Sequence, residues 1–120
     1  EVPPTFNRER LDQMAMIKLP GNTNLRDGLL KLYFENAPDL AIQLKTALMH
    51  NDMETLHRAS HSLKSTSANM GLEYLSQLAA RLEESSHAKR WQDIPGQVDA
   101  LLCEHELALE TLRDYQASCH

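Results

Sequence analysis

The stretch that decides the fold of this 120-residue chain spans residues 56–71 and reads LHRASHSLKSTSANMG. Apolar and small residues recur in it at the spacing of three and four that places side chains on one stripe of a helix. These residues are Leu56, Ala59, Ser60, Leu63, Ser67 and Met70. The pattern predicts an amphipathic central helix that packs into a core along this stripe. Gly71 is predicted to end the helix, because the position after a helix C-terminus favours glycine.

A second stripe of the same helix carries His61, followed along the helix by Lys64, Ser65 and Ala68. The neighbours of the imidazole are small, so the ring stays reachable and the backbone of another protein can come close. The lysine, one turn away, can sit beside an anionic group attached to the ring. These three properties suit a nucleophilic histidine that carries an anionic group between two partners.

The remaining sequence also has the composition of a helical protein. Aliphatic-rich segments are separated by short polar breaks, runs of β-branched residues are missing, and aromatic residues make up only 5% of the chain. We predict an all-α fold, an antiparallel four-helix bundle with an additional short N-terminal helix. The predicted organisation is a linker end at residues 1–7, one bundle domain at 8–117 and a frayed tail at 118–120.

Proline and glycine divide the first half of the chain. A short helix is predicted from Arg8 to Lys18, where Pro20-Gly21-Asn22 breaks it. Residues 24–50 are predicted to form either two helices or one helix kinked at Pro38, because a proline removes one helical hydrogen bond. The sequence leaves both possibilities open.

The second half contains the boundaries of three further helices. Asn51 is a predicted N-cap, with Glu54 as its capping-box partner, at the start of the central helix. The next helix is predicted over residues 72–87. The last is predicted to start near Asp93, with Pro95 in its first turn, where proline is tolerated.

Charge and hydropathy exclude several classes of function. The net charge is −5 and no block of Lys and Arg occurs, so nucleic acid is not an expected partner. The absence of an apolar run of membrane-spanning length argues against direct membrane contact. Cys103 and Cys119 lie too far apart on one helix to pair, which favours reduced thiols and a cytoplasmic location.

His57 and His61 lie four residues apart and could bind a metal ion together if they face the same side of a helix. The metalloprotease pattern needs a glutamate after the first histidine, but position 58 is Arg58. No third ligand occurs at a suggestive spacing. We therefore predict no metal site, and keep a metal-binding helical protein only as a rival interpretation.

The residues around His61 resemble the core motif of the histidine-containing phosphotransfer (HPt) domain family, His-x-x-Lys-Gly. The chain has His61 and Lys64 at the first two motif positions and Ser65 where the family usually has glycine. The similarity includes the preceding Ala59-Ser60 and continues through Leu72-Glu73-Tyr74-Leu75 and Leu82-Glu83.

The resemblance implies a phosphorelay intermediate of two-component signal transduction. His61 would accept a phosphoryl group from the aspartate of one response-regulator receiver domain and pass it to another. Lys64 would stabilise the charge of the phosphoryl group, and Glu83 would orient the imidazole. The implied partner-binding residues are Ser60, Ser65, Ala68 and Asn69. The domain needs no cofactor of its own, since the family relies on Mg²⁺ supplied by the partner receiver domain.

Several alternatives stay open. The resemblance favours the C-terminal HPt module of a bacterial hybrid sensor histidine kinase, whose other domains could then be partners, over a free-standing protein. A chemotaxis-kinase-type phosphoacceptor domain, fed by an ATP-binding kinase domain, shares the chemistry. The chain has no nucleotide-binding motif of its own, so it is not expected to act as an autonomous kinase. A non-catalytic helical interaction module is the remaining rival, and a monomer suffices for each of these functions.

Overall fold

Five α-helices make up most of residues 6–119, which are the residues that the computed structural model describes. They are α1 (Arg8–Met14), α2 (Leu25–Met49), α3 (Met53–Asn69), α4 (Glu73–His87) and α5 (Ile94–Ser118). A short antiparallel hairpin of β1 (Lys18–Leu19) and β2 (Thr23–Asn24) joins α1 to α2, and a 3₁₀ turn over Trp91–Asp93 precedes α5. Helices α2 to α5 form the bundle, which confirms the predicted all-α fold.

The core lies between the four long helices and consists mainly of leucine side chains. All six residues of the predicted apolar stripe are buried, five of them in α3 and Met70 at its C-cap. The largest fully buried side chains are Leu11, Leu30, Leu44, Leu56, Leu63, Met70, Leu72, Leu75, Leu82, Ile94, Leu101 and Leu112. Because every helix contributes, the core fixes how α3 and α4 lie against each other, and with them the polar side chains at the edge of their contact.

The residues around Pro38 form one helix, which decides between the two possibilities that the sequence left open. Helix α2 runs through the proline without a break. Pro38 lies on the exposed side, while Ala37 before it is buried. A carbonyl that loses its helical partner on the exposed side can be hydrated, so the proline costs less there than it would facing the core.

The predicted C-terminal limit of the first helix is wrong. Helix α1 ends at Met14 rather than Lys18. Gly21 and Asn22 adopt left-handed backbone conformations, with φ of 85° and 60°. They reverse the chain after Pro20 so that the two strands pair, and Lys18 belongs to the hairpin.

The predicted N-cap of the central helix is also wrong, by one residue. The cap is Asp52, whose side chain accepts a hydrogen bond from the Thr55 backbone N–H at 3.1 Å. Asn51 instead adopts a left-handed conformation, with φ of 53°, in the turn that follows α2. The predicted capping box with Glu54 is therefore not formed, because Asn51 belongs to the turn and not to the start of the helix.

The predicted role of Gly71 is confirmed. Its φ is 76°, and the turn that it forms satisfies the last carbonyls of α3. The N–H of Leu72 donates to the Ser67 carbonyl at 2.9 Å, and the N–H of Gly71 donates to the Ala68 carbonyl at 3.2 Å. These two bonds are the pattern of a Schellman motif.

The N-terminal residues pack onto this end of α3. The Asn7 N–H donates to the Gly71 carbonyl at 2.7 Å, and Arg10 donates to the Asn69 carbonyl at 3.3 Å. A Cβ at position 71 would lie 2.4 Å from the Asn7 carbonyl oxygen. Residues 1–5 of the predicted linker end lie outside the described residues, whereas Asn7 is held against the domain.

Helix α5 begins at Ile94 and extends to Ser118, so the first residue of the predicted frayed tail belongs to the helix. His120, its last residue, lies outside the described residues. Both Cys103 and Cys119 are free thiols. Among the described helices, none has both the length and the apolar character to cross a bilayer.

Candidate functional site

The contact between α3 and α4 brings together the three side chains to which the sequence analysis gave chemical roles. Glu83 of α4 accepts a hydrogen bond from His61 Nδ1 through Oε2. Lys64 Nζ donates to the other oxygen of the same carboxylate, Oε1, at 2.5 Å. One carboxylate therefore bridges an imidazole and an ammonium group that lie one turn apart on the neighbouring helix.

The packing of the two helices explains this arrangement. Leu63 of α3 and Leu82 of α4 are buried next to the polar groups, so their helices present His61 and Glu83 at the rim of the core. The Ser76 hydroxyl of α4 also donates to the Lys64 carbonyl at 2.9 Å. This bond ties α4 to α3 at a second point and limits sliding of one helix along the other.

The electrostatics of the site keep Glu83 ionised. The hydrogen bond from Lys64 is the largest cause that lowers the pKa of the carboxyl group; the bond from His61 also lowers this pKa, and burial opposes both. A carboxylate has no proton to donate, so Nδ1 of His61 carries the ring hydrogen in this contact. The lone pair of a neutral ring then lies on Nε2.

The exposure of the three side chains differs in a way that suits group transfer. The His61 side chain is 61% exposed and the Lys64 side chain 37%, whereas Glu83 is 16% exposed. The carboxylate is thus partly enclosed and positioned, while the ring that it holds is open to solvent. A reacting group on another protein can reach the ring without any opening of the bundle.

The structure separates the predicted partner-binding residues into two groups. Ser65, Ala68 and Asn69 are exposed along the stripe that continues from His61. Ser60 is fully buried, and its hydroxyl donates to the carbonyls of Leu56 and His57. The prediction that Ser60 lies on the contact surface is therefore wrong, because its side chain belongs to the core stripe.

Two depressions flank the exposed stripe, and neither was predicted from the sequence. A polar depression of about 400 Å³ lies between α1, α3 and α4, where Arg10 and Gln13 face Ala68. An apolar groove of about 240 Å³ lies between α2 and α3, where Leu32 and Asn69 are among the lining residues. Local periodicity gave no signal for either, since each forms only when separate helices pack together.

The metal interpretation of His57 and His61 finds no support in the arrangement of these side chains. His61 is bound to Glu83, and the ring of His57 lies beside that of His87 instead. Within residues 6–119, no group of three or more His, Cys, Asp or Glu side chains is placed to hold a metal ion.

Comparison with known proteins places these features in a family. The sequence model of the Hpt domain matches residues 28–115. Histidine-containing phosphotransfer protein B (HptB) from Pseudomonas aeruginosa PAO1 has a similar crystal structure, with a TM-score of 0.83, 22% sequence identity and coverage of 95% of this chain and 96% of that one. At this identity the likeness shows a shared fold. No curated protein matches the sequence significantly.

Proposed function

The chain belongs to the Hpt domain family and has a histidine phosphotransfer role in two-component signalling, and on this premise we propose that it relays phosphoryl groups between receiver domains through Nε2 of His61. The observation that carries the proposal is the contact of His61 Nδ1 with Glu83. This contact supports the proposal because a neutral ring that donates through Nδ1 keeps its lone pair on Nε2.

The proposed reaction is one displacement at phosphorus. Nε2 forms a bond to the phosphorus of a receiver aspartyl phosphate as the bond from phosphorus to the aspartate oxygen breaks. The aspartate leaves as a carboxylate, and the second transfer reverses these events with another receiver. Because phosphoryl transfer passes through a loose transition state, catalysis rests on positioning and charge stabilisation rather than on further covalent steps.

Glu83 positions the ring for this reaction. When Nε2 gains the phosphoryl group, the imidazole gains positive charge, which the carboxylate at Nδ1 stabilises. The partial enclosure of Glu83 limits competition from water for the same oxygen atoms. This role is independent of which receiver supplies the phosphoryl group.

Lys64 is proposed to stabilise the negative charge of the transferred group. An ammonium group has three hydrogens, and the bond to Glu83 uses one of them. The others can be donated to phosphoryl oxygen atoms beside Nε2 while the contact with Glu83 is kept. The divalent cation, Mg²⁺ in this proposal, is assigned to the carboxylates of the receiver domain and not to this chain.

The receiver is proposed to dock over the exposed stripe of Ser65, Ala68 and Asn69. Small side chains on this stripe let the partner's reacting aspartate approach the ring closely. The two depressions beside the stripe give this surface one polar and one apolar side. Polar contacts would fix the orientation of the receiver, and the apolar groove would bury surface of both proteins.

The test is a transfer assay with purified components. The domain is mixed with a panel of phosphorylated receiver domains and Mg²⁺, and the product is examined for an acid-labile, base-stable phosphoryl linkage. A histidine kinase domain with ATP serves as a second donor and separates a receiver-fed domain from a kinase-fed one. His57→Gln, one turn away on the same helix, is the matched control for His61→Gln.

We expect label from a receiver on the wild-type protein and on His57→Gln, and none on His61→Gln. Label that persists on His61→Gln would place the phosphoacceptor elsewhere. Label from the kinase domain but from no receiver would replace the relay with the chemotaxis-kinase type of function. Receivers that bind the domain but leave it unlabelled with every donor would support a non-catalytic interaction module.

A further inference from the structure

A second pair of ring side chains bridges α3 and α4 one turn away from the phosphoacceptor. His57 precedes His61 by four residues on α3, and His87 follows Glu83 by four residues on α4. Residues four apart lie on the same face of a helix, and the two helices run in opposite directions. The pair of His57 and His87 is therefore the next contact between α3 and α4 beside the pair of His61 and Glu83.

The separation of His57 and His87 matches that of two ligands of one metal ion. The ring centroids of His57 and His87 are 5.7 Å apart, and the ring planes are inclined by 41°. Two imidazoles that share an ion, each with a metal–nitrogen bond of about 2.0–2.1 Å, have centroids roughly 5–6 Å apart at tetrahedral or wider ligand angles. The rings thus have the required separation without any movement of the helices.

The surroundings of the pair leave room for an ion and its water ligands. Both rings line an open depression of about 390 Å³ together with Glu54, Ser86 and Lys89. Among these lining residues, Glu54 is the acidic side chain and Lys89 is the cationic one. Since the described residues provide no three-ligand cluster, an ion at this place would have two nitrogen ligands from the protein, and water would complete its coordination.

We propose that His57 and His87 form a divalent transition-metal site that links α3 to α4. Imidazole nitrogen suits Zn²⁺, Cu²⁺ and Ni²⁺, whereas Mg²⁺ and Ca²⁺ prefer oxygen ligands. The site is distinct from the phosphotransfer chemistry and from the Mg²⁺ of a receiver domain. An ion held there would reinforce the helix contact that positions Glu83 against His61.

The test measures binding and thermal unfolding of the purified domain with Zn²⁺ or Ni²⁺ as the probe, in the absence of any receiver. Ligands that bind only the folded state raise its melting temperature in a concentration-dependent way. We expect one equivalent of Zn²⁺ to bind and the melting temperature to rise until the site is saturated. Mg²⁺ at the same concentrations should leave the melting temperature unchanged.

Three variants distinguish this site from other histidine sites. His57→Gln and His87→Gln should each lower the affinity for Zn²⁺ at least tenfold, while His61→Gln should bind Zn²⁺ like the wild type. Unfolding without metal checks that each variant is folded, and the chemical shifts of the His57 and His87 rings on Zn²⁺ addition report the ligands directly.

Loss of binding in His61→Gln but not in His87→Gln would show that one turn of α3 holds the ion, and would overturn the proposal. Unchanged binding in His57→Gln would do the same, because the ion would then lie at another histidine. Neither result depends on phosphotransfer, so failure of the metal site and failure of the proposed relay are separable.

Discussion

Replacing Glu83 by glutamine tests the arrangement on which the proposed mechanism depends. The substitution keeps the size of the side chain and one carbonyl oxygen, but removes the negative charge that His61 and Lys64 share. The amide oxygen can still accept the hydrogen bond from Nδ1, so the ring is not released altogether. What changes is the strength of the bond at Nδ1 while the imidazole becomes positively charged.

The size of the effect follows from the two kinds of hydrogen bond. A bond to a charged partner contributes about 1.5–3 kcal/mol and a neutral bond about 0.5–1.5 kcal/mol. Exchanging a charged for a neutral partner at Nδ1 costs about 1 kcal/mol. The His61 side chain is 61% exposed, and screening by solvent keeps the loss of free energy near this value. Since about 1.4 kcal/mol corresponds to a tenfold change in rate, we expect Glu83→Gln to slow phosphoryl transfer roughly fivefold.

The assay is single-turnover transfer from a phosphorylated receiver domain, followed by rapid quenching at saturating concentrations of the Hpt protein. The matched control is Glu84→Gln, which makes the same change of charge at the next residue. Glu84 is 76% exposed and contacts only Arg90, at 3.7 Å, among the ion pairs of the described residues. The control should therefore transfer at the wild-type rate.

Equal rates for Glu83→Gln and Glu84→Gln would refute the positioning role of Glu83. Either both rates would be reduced by the change in overall charge, or neither substitution would affect the rate. A faster Glu83→Gln variant would also contradict the reasoning, since it would mean that the carboxylate holds Lys64 away from the phosphoryl group. Far-UV circular dichroism of both variants shows whether the bundle is intact.

Four further predictions concern the same region. Lys64→Ala should slow transfer about tenfold, by loss of one charge-assisted hydrogen bond of about 1.5 kcal/mol, with an unchanged helical spectrum; wild-type kinetics would remove Lys64 from the mechanism. Ser65→Trp should abolish transfer in the same assay without unfolding, and transfer at the wild-type rate would show that the receiver does not dock over this residue. Gly71→Ala should lower the free energy of unfolding by about 2 kcal/mol or more in urea titrations, because φ is 76° and the new Cβ would meet the Asn7 carbonyl; an unchanged midpoint would contradict this contact. The pKa of Glu83 is lowered in the folded state, so its carboxylate stabilises the fold at pH values above the ordinary pKa of 4.5. The stability advantage of the wild type over Glu83→Gln should therefore be present at neutral pH and disappear as the pH falls through the lowered pKa of the folded state. A stability difference that is independent of pH would show that it comes from packing.

Local periodicity predicted most of what is formed within single helices. The two stripes of α3 were readable because residues three and four apart share a face, and all six residues of the core stripe are buried. Gly71 was predictable as the end of α3, because few other residues adopt a left-handed backbone without cost. The same local rule placed Lys64 one turn from His61.

Local boundaries were predicted less well where two structures compete for the same residues. Asn51 and Asp52 are both good N-cap residues, and only the turn after α2 selects the second. The four residues after Met14 continue a helical pattern, yet pairing with β2 outweighs it. Pro38 was compatible with a break or with a continuous helix, and its place on the exposed side of the bundle decides for the latter.

The sequence by itself determined the helical class and the faces of α3, because each depends on residues within a turn or two of one another, and the resemblance of its motif to the HPt family indicated His61 as the candidate phosphoacceptor. Only the tertiary structure decided that Glu83 bridges His61 and Lys64, that Asn7 closes onto Gly71 and that His57 faces His87. These contacts join residues that are far apart in sequence. Their register depends on how the side chains of neighbouring helices interlock in the core, and the spacing of residues along one helix carries no information about that packing.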